Sequence, residues 1–209
     1  MNRLFVLGMG PGSKEYVLPV TASAILSCDV LVGGVRHLNE YKVLGKTMIS
    51  IGKDLDKVIE EVREHMKDKR VAFLLSGDTG FYSMLKYLRT KFSADELNVI
   101  PGISSFQYLA AKIGETWQDA YVGSLHGRYL DLKPLIEKYS RIYLLTDEQN
   151  SPQEIAKQII GKGWKSCTMV VGENLSYENE KIIIGTPQDI IKEPKIQMAV
   201  VVIKVEMGI

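Results

Sequence analysis

Three glycine-bearing stretches each stand directly after an apolar run: Gly8-Met9-Gly10-Pro11-Gly12, Ser76-Gly77-Asp78-Thr79-Gly80 and Pro101-Gly102-Ile103-Ser104-Ser105. Glycine lets a backbone approach a ligand closely, and crevices form at the C-terminal ends of strands in an open α/β sheet. In a doubly wound sheet the three loops line one crevice, furnished with backbone donors and acceptors, hydroxyls and one carboxylate, Asp78. No lysine or arginine lies inside them, so the crevice suits an uncharged nucleoside better than a nucleotide. Structural roles compete at each loop. The first is also a sharp turn, Asp78 is placed to cap a helix opening at Phe81, and Ser104 and Ser105 stand at the mouth of another helix.

Phosphate-binding motifs fail on particular residues. The dinucleotide fingerprint needs a third glycine where this chain has Ser13, and Pro11 removes an N–H from the loop. No Gly-Lys-Ser/Thr follows, so there is no P-loop. The chain has no Ser/His/Asp or Cys/His signature of nucleophilic catalysis. Its two cysteines, Cys28 and Cys167, lack metal-ligand spacing and read as buried thiols, with no metal site expected.

The elements that must position these loops alternate between two periods. Leu4 to Leu7, Asp29 to Val32, Thr47 to Ile51, Arg70 to Ser76 and Asn98 to Ile100 read as strands. Between them, Pro19 to Ser27, Leu55 to Met66 and Phe81 to Phe92 read as helices; proline opens the first where its missing N–H costs nothing. Unbroken apolar strands suit a parallel sheet covered on both faces. After Gly114 the rhythm restarts with strands at Tyr121 to Ser124, Arg141 to Leu145 and Thr168 to Gly172. Helices Leu130 to Tyr139 and Pro152 to Ile160 lie between those strands. The last part, Lys181 to Ile184, Pro187 to Lys192 and Gln197 to Val205, fits a mixed sheet better. The expectation is α/β with two lobes, residues 1–115 and 116–209, the first mainly parallel and the second mixed.

Composition bounds the partners. With 209 residues, 45% hydrophobic and 24% charged, the chain is in the ordinary globular range, which excludes disorder. A net charge of +1 gives no general attraction to nucleic acid or an anionic membrane. Apolar runs such as Val71 to Leu75 fall far short of the roughly 20 residues of a membrane helix, and the start has no signal-peptide pattern. The protein is expected in the cytoplasm.

From end to end the chain resembles the class III, tetrapyrrole-type S-adenosylmethionine methyltransferases. Residues 8–13, 76–78 and 101–105 match that family's loops, and Gly172-Glu173-Asn174-Leu175 its second-lobe motif. Each alone is weak, but four in order are specific. Trp117-Gln118-Asp119-Ala120 and Ser124-Leu125-His126-Gly127-Arg128 are similar to the branch that methylates C5 of cobalt-precorrin-7, or its cobalt-free counterpart, during cobalamin synthesis.

The resemblance implies S-adenosylmethionine as donor, S-adenosylhomocysteine as product, a donor cleft between the lobes and a homodimer. Donor contacts carry onto Pro11, Gly77, Asp78, Phe81, Ser104, Ser105, Leu145, Leu175 and Ala199. Thr79 departs from the proline that many members place after Gly-Asp. A corrin precursor carries many carboxylates, so hydrogen-bond donors must gather locally; His126, Arg128, Arg36 and His37 are the candidates. Some relatives carry a fused C15 methyltransferase that decarboxylates; this chain ends at Ile209 and reads as the C5 enzyme, with the C15 step left to a separate partner. The competing readings are a methyltransferase of the same fold acting on a protein, as diphthine synthase does, and a noncatalytic nucleoside-binding scaffold.

Overall fold

The apolar runs of the first half form five strands, β1 (Leu4–Gly8), β2 (Val30–Gly33), β3 (Thr47–Ser50), β4 (Val71–Leu75) and β5 (Leu97–Ile100), in the order β3-β2-β4-β1-β5. Every pairing is parallel. The structure, a computed structural model, describes residues 3–128, 130–164 and 167–206. It divides into two compact units, Met1–Ser104 and Ser105–Ile209.

In the first unit, β4 is buried along its whole length, as its five consecutive apolar residues require of a central strand. Helices α1 (Pro19–Ser27), α2 (Val35–Glu40), α3 (Leu55–His65) and α4 (Leu85–Lys91) connect the strands. Val58, Ile59 and Val62 of α3 and Leu88 of α4 pack with Val6, Val32 and Phe73 on one face of the sheet. Ala24 and Ile25 of α1 and Leu38 of α2 pack with Leu7, Leu31 and Leu74 on the other. The sheet is therefore doubly wound, and the loops leaving adjacent β4, β1 and β5 emerge side by side.

The sequence pattern starts α4 at Phe81, but the helix starts at Leu85. Tyr82 has a φ of 49°, a left-handed conformation that cannot belong to an α-helix, so the apolar spacing of Phe81 and Leu85 overstates the element. Helix α2 has no apolar period of its own and is not foreseen.

The second unit carries α5 (Ser105–Lys112), β6 (Tyr121–Ser124), α6 (Lys133–Lys138), β7 (Arg141–Leu145), α7 (Pro152–Gly161), β8 (Cys167–Glu173), β9 (Lys181–Gly185), α8 (Pro187–Lys192) and β10 (Ala199–Val205). Its sheet runs β6-β7-β10-β8-β9; β6 and β7 are parallel and every other pairing is antiparallel, the mixed sheet expected. Helix α5 packs on β7 and β10, and Phe106 meets Tyr143 at a ring-centroid distance of 6.1 Å. The division thus falls before α5, not near residue 115. The pause at Gly114 follows α5, whose apolar face lies on the later sheet.

Cys28 and Cys167 are buried free thiols. Among the described residues, no helix is long and apolar enough to cross a membrane.

Candidate functional site

In the first unit, the β1 and β4 loops stay bonded to each other beyond the strands, ending in an antiparallel Gly10–Gly77 bridge. Met9 donates its N–H to the Leu75 carbonyl at 2.8 Å, and Gly10 and Gly77 exchange N–H···O bonds of 3.2 and 2.9 Å. The β5 loop closes against both: a Cβ on Gly8 would lie 2.5 Å from the Gly102 nitrogen, and one on Gly102 would lie 2.3 Å from the Gly77 oxygen. Only glycine permits that approach. Asp78 is not a helix cap. Its Oδ1 accepts the Gly80 N–H at 2.8 Å and its Oδ2 the Gly102 N–H at 3.1 Å, which staples the β4 loop to the β5 loop. Ser13, the residue that breaks the dinucleotide fingerprint, accepts the Glu15 N–H and caps a short helical turn. Pro11, Gly77, Asp78 and buried Ser104 therefore lie at one end of one sheet, with Phe81 leading out of it.

Arg36 and His37 join this end from α2, which follows β2, the neighbour of β4. His37 Nε2 lies 2.8 Å from Ser76 Oγ, and an Arg36 nitrogen donates to the same oxygen at 3.1 Å. Arg36 is exposed, whereas His37 is only 4% exposed. His37 is thus covered and turned onto Ser76 and Arg36, whereas Arg36 is open to solvent.

Burial, and secondarily the Arg36 charge, lower the His37 pKa from 6.5 to about 4. An unfolded chain binds this proton more readily, so the stability tied to neutral His37 is complete above pH 6.5 and is lost as pH falls toward 4. Between about pH 7 and 5 the loss is about 2 kcal/mol. Urea unfolding of the wild type should show this slope, and His37→Asn should flatten it; equal slopes would refute the assignment.

In the second unit, the ends of β6, β7 and β8 and the start of β10 lie together. Leu125 donates its N–H to the Leu145 carbonyl at 2.8 Å, and the Thr146 hydroxyl donates to the Ala199 carbonyl at 2.7 Å. Asp147 accepts the N–H groups of Gly127 and Asn150, both at 2.7 Å, and these backbone donors hold its carboxyl below the usual carboxylate range. Asn150 Nδ2 also donates to the Leu125 carbonyl at 3.0 Å. This network fixes the loop on which His126 and Arg128 are exposed. Leu175 is buried against Gly172, where a Cβ would lie 2.6 Å from Leu175 Cδ2. Asn174, Ser176 and Met198 all have positive φ, a concentration of strained backbone beside Leu175 and Ala199.

The second-unit candidates Leu145, Leu175, Ala199, His126 and Arg128 thus share one sheet end, and Ser105 opens α5. Sequence reading missed Ser76, Asp147 and Asn150 as organising groups. Asp147, a carboxylate just past an apolar strand, was the available signal.

The family described as Tetrapyrrole (Corrin/Porphyrin) Methylases matches residues 3–191. The chain is 35% identical to the cobalt-precorrin-7 C(5)-methyltransferase of Salmonella typhimurium over 86% of its own length and 88% of that protein's. It is 32% identical to the probable cobalt-precorrin-7 C(5)-methyltransferase of Methanocaldococcus jannaschii, over 90% of each. Against the decarboxylating precorrin-6Y C(5,15)-methyltransferase of a Sinorhizobium species, identity is 27% and the match spans 44% of that longer chain. The crystal structure of a precorrin-6Y methylase from Archaeoglobus fulgidus shares the fold, with a TM-score of 0.76 at 20% identity over 98% of this chain and 99% of that one. The chain belongs to the tetrapyrrole (corrin/porphyrin) methylase family.

Proposed function

We propose that the protein transfers a methyl group from S-adenosylmethionine to C5 of cobalt-precorrin-7 in cobalamin biosynthesis. The observation that carries the acceptor is the near full-length likeness to the two relatives named for that reaction. The donor bears an electrophilic methyl on a sulfonium sulfur, so a C–C bond forms as the S–C bond breaks, and one proton leaves the substrate. The chain's part is alignment and exclusion of water rather than acid-base chemistry.

The first-unit loops fit this donor. At Gly77 an added Cβ would meet only the Ser104 Cα, at an ordinary 3.7 Å, so the backbone there has room for a ligand at close range. Pro11, Asp78, Phe81 and Ser104 complete this half of the contact set. Ser105, Leu145, Leu175 and Ala199 supply the second unit's half. Arg128 and His126, on the loop braced by Asp147, grip carboxylates of the macrocycle, and Arg36 adds a further donor. In this reading the C15 step belongs to another protein, and the working form is a homodimer.

Arg128→Ala should raise the KM for cobalt-precorrin-7 about tenfold, the loss expected of one charge-assisted contact on an exposed loop, and leave donor affinity within about twofold. Calorimetry with the donor beside initial-rate kinetics reads both, and parallel losses would count against the assignment. The reading as a whole is tested by incubating the protein with carbon-13 methyl-labelled donor and cobalt-precorrin-7 and locating the new methyl by NMR. Labelling at another carbon, or of a protein histidine, would replace the proposed acceptor; no transfer would remove it.

A further inference from the structure

We propose that the Tyr82 ring is the platform on which the flat face of the tetrapyrrole rests, making Tyr82 a specificity-determining residue; this rests on the function proposed above. Tyr82 has a φ of 49°, and the left-handed region is sterically unfavourable for any residue with a Cβ, more so for a bulky one. The residue is nevertheless 46% exposed. Two features that oppose folding therefore coincide in one residue, an unfavourable backbone and an aromatic ring left partly in water. Neighbouring Phe81 is half-buried and meets the Tyr82 ring edge-on at 4.8 Å, which steadies the outer ring.

The strain is imposed by a short, braced loop. Asp78 holds the Gly80 N–H, Thr79 is buried, and the Ser83 hydroxyl donates to the Thr79 carbonyl, so the turn is fixed on both sides of Tyr82. Strain held in this way is characteristic of sites where geometry serves a ligand. A ring presented by a rigid turn also loses little freedom when a ligand covers it.

Surrounding chemistry selects the ligand class. Arg36 stands against Ser76, which begins the same loop. An aromatic surface with a cation at the same strand end is complementary to a broad unsaturated ring carrying carboxylates at its rim.

The test uses Tyr82→Asn, since asparagine tolerates the left-handed backbone while removing the ring, and Tyr82→Phe, which keeps it. Binding of cobalt-precorrin-7 is followed by its absorbance change, and donor binding by calorimetry. Tyr82→Asn should bind the tetrapyrrole about tenfold or more weakly, with donor affinity within about twofold and a melting temperature unchanged or higher. Tyr82→Phe should bind both ligands as the wild type does. Unchanged tetrapyrrole affinity in Tyr82→Asn would overturn the proposal, as would a matching loss of donor affinity, which would put the ring on adenine. A lowered melting temperature would overturn it too, because the ring would then serve the fold. Wild-type protein that binds no cobalt-precorrin-7 would remove the proposed function and this platform together, whereas binding that survives in Tyr82→Asn would remove the platform alone.

Discussion

Gly77→Val abolishes binding of S-adenosylmethionine in a protein that still folds, with affinity down at least about a hundredfold. Gly77 has a φ of 67°, and its two main-chain bonds to Gly10 hold it there. A Cβ at this position meets no obstructing atom of the protein, since Ser104 Cα is its one neighbour, at 3.7 Å. The folded state therefore bears mainly the left-handed penalty, at least about 1–2 kcal/mol for a β-branched residue, which lowers the melting temperature by at least about 2–8 °C. The valine branches project from the loop instead, into the volume that the proposed ligand requires. Gly77→Asn separates the two effects, because asparagine accepts the left-handed conformation and still fills the space. Calorimetric titration should find donor binding lost in both variants. Wild-type affinity in Gly77→Asn would take the β4 loop out of the donor site.

The strand-end loops are legible in sequence because each joins two strong local signals, an unbroken apolar run and a glycine cluster. Helix α1 is also read in full, because Pro19 marks its start. What escapes the reading depends on partners distant in sequence or on backbone states that residue type does not encode. Nothing about tyrosine announces the left-handed conformation of Tyr82, so α4 is read one turn too long. The Asp78 carboxylate looks like a helix cap until Gly102, 24 positions away, is seen to be its partner. The Ser76–His37 contact spans 39 positions and covers a histidine that the family resemblance offers as a substrate contact. Helix α5 is ambiguous in another way. Its buried Phe106, Tyr108 and Leu109 would suit either sheet, and only the packing on β7 and β10 decides which.

Gly102→Ala carries the largest expected loss of stability, about 3 kcal/mol or more, through a collision that the fold cannot relieve locally. The added carbon would lie 2.3 Å from the Gly77 oxygen and 2.8 Å from the Gly8 carbonyl carbon. Both are main-chain atoms, so no side chain can rotate away. Relief requires the β5 loop to withdraw, which breaks the Gly102 N–H bond to Asp78 and frees the β4 loop that the bond secures. Donor binding is therefore lost along with stability, in contrast to Gly77→Val, where binding fails and the fold persists. Gly161→Ala, at the last position of α7, is the matched control. Nothing lies within 4 Å of its added Cβ, and alanine favours the helix by about 0.5–1 kcal/mol. Thermal melts of the two variants should shift in opposite directions, down by about 6 °C or more for Gly102→Ala and slightly up for Gly161→Ala. A Gly102→Ala protein as stable as the wild type would mean that the three loops do not close on one another, and the backbone surface proposed for the donor would have no rigid support.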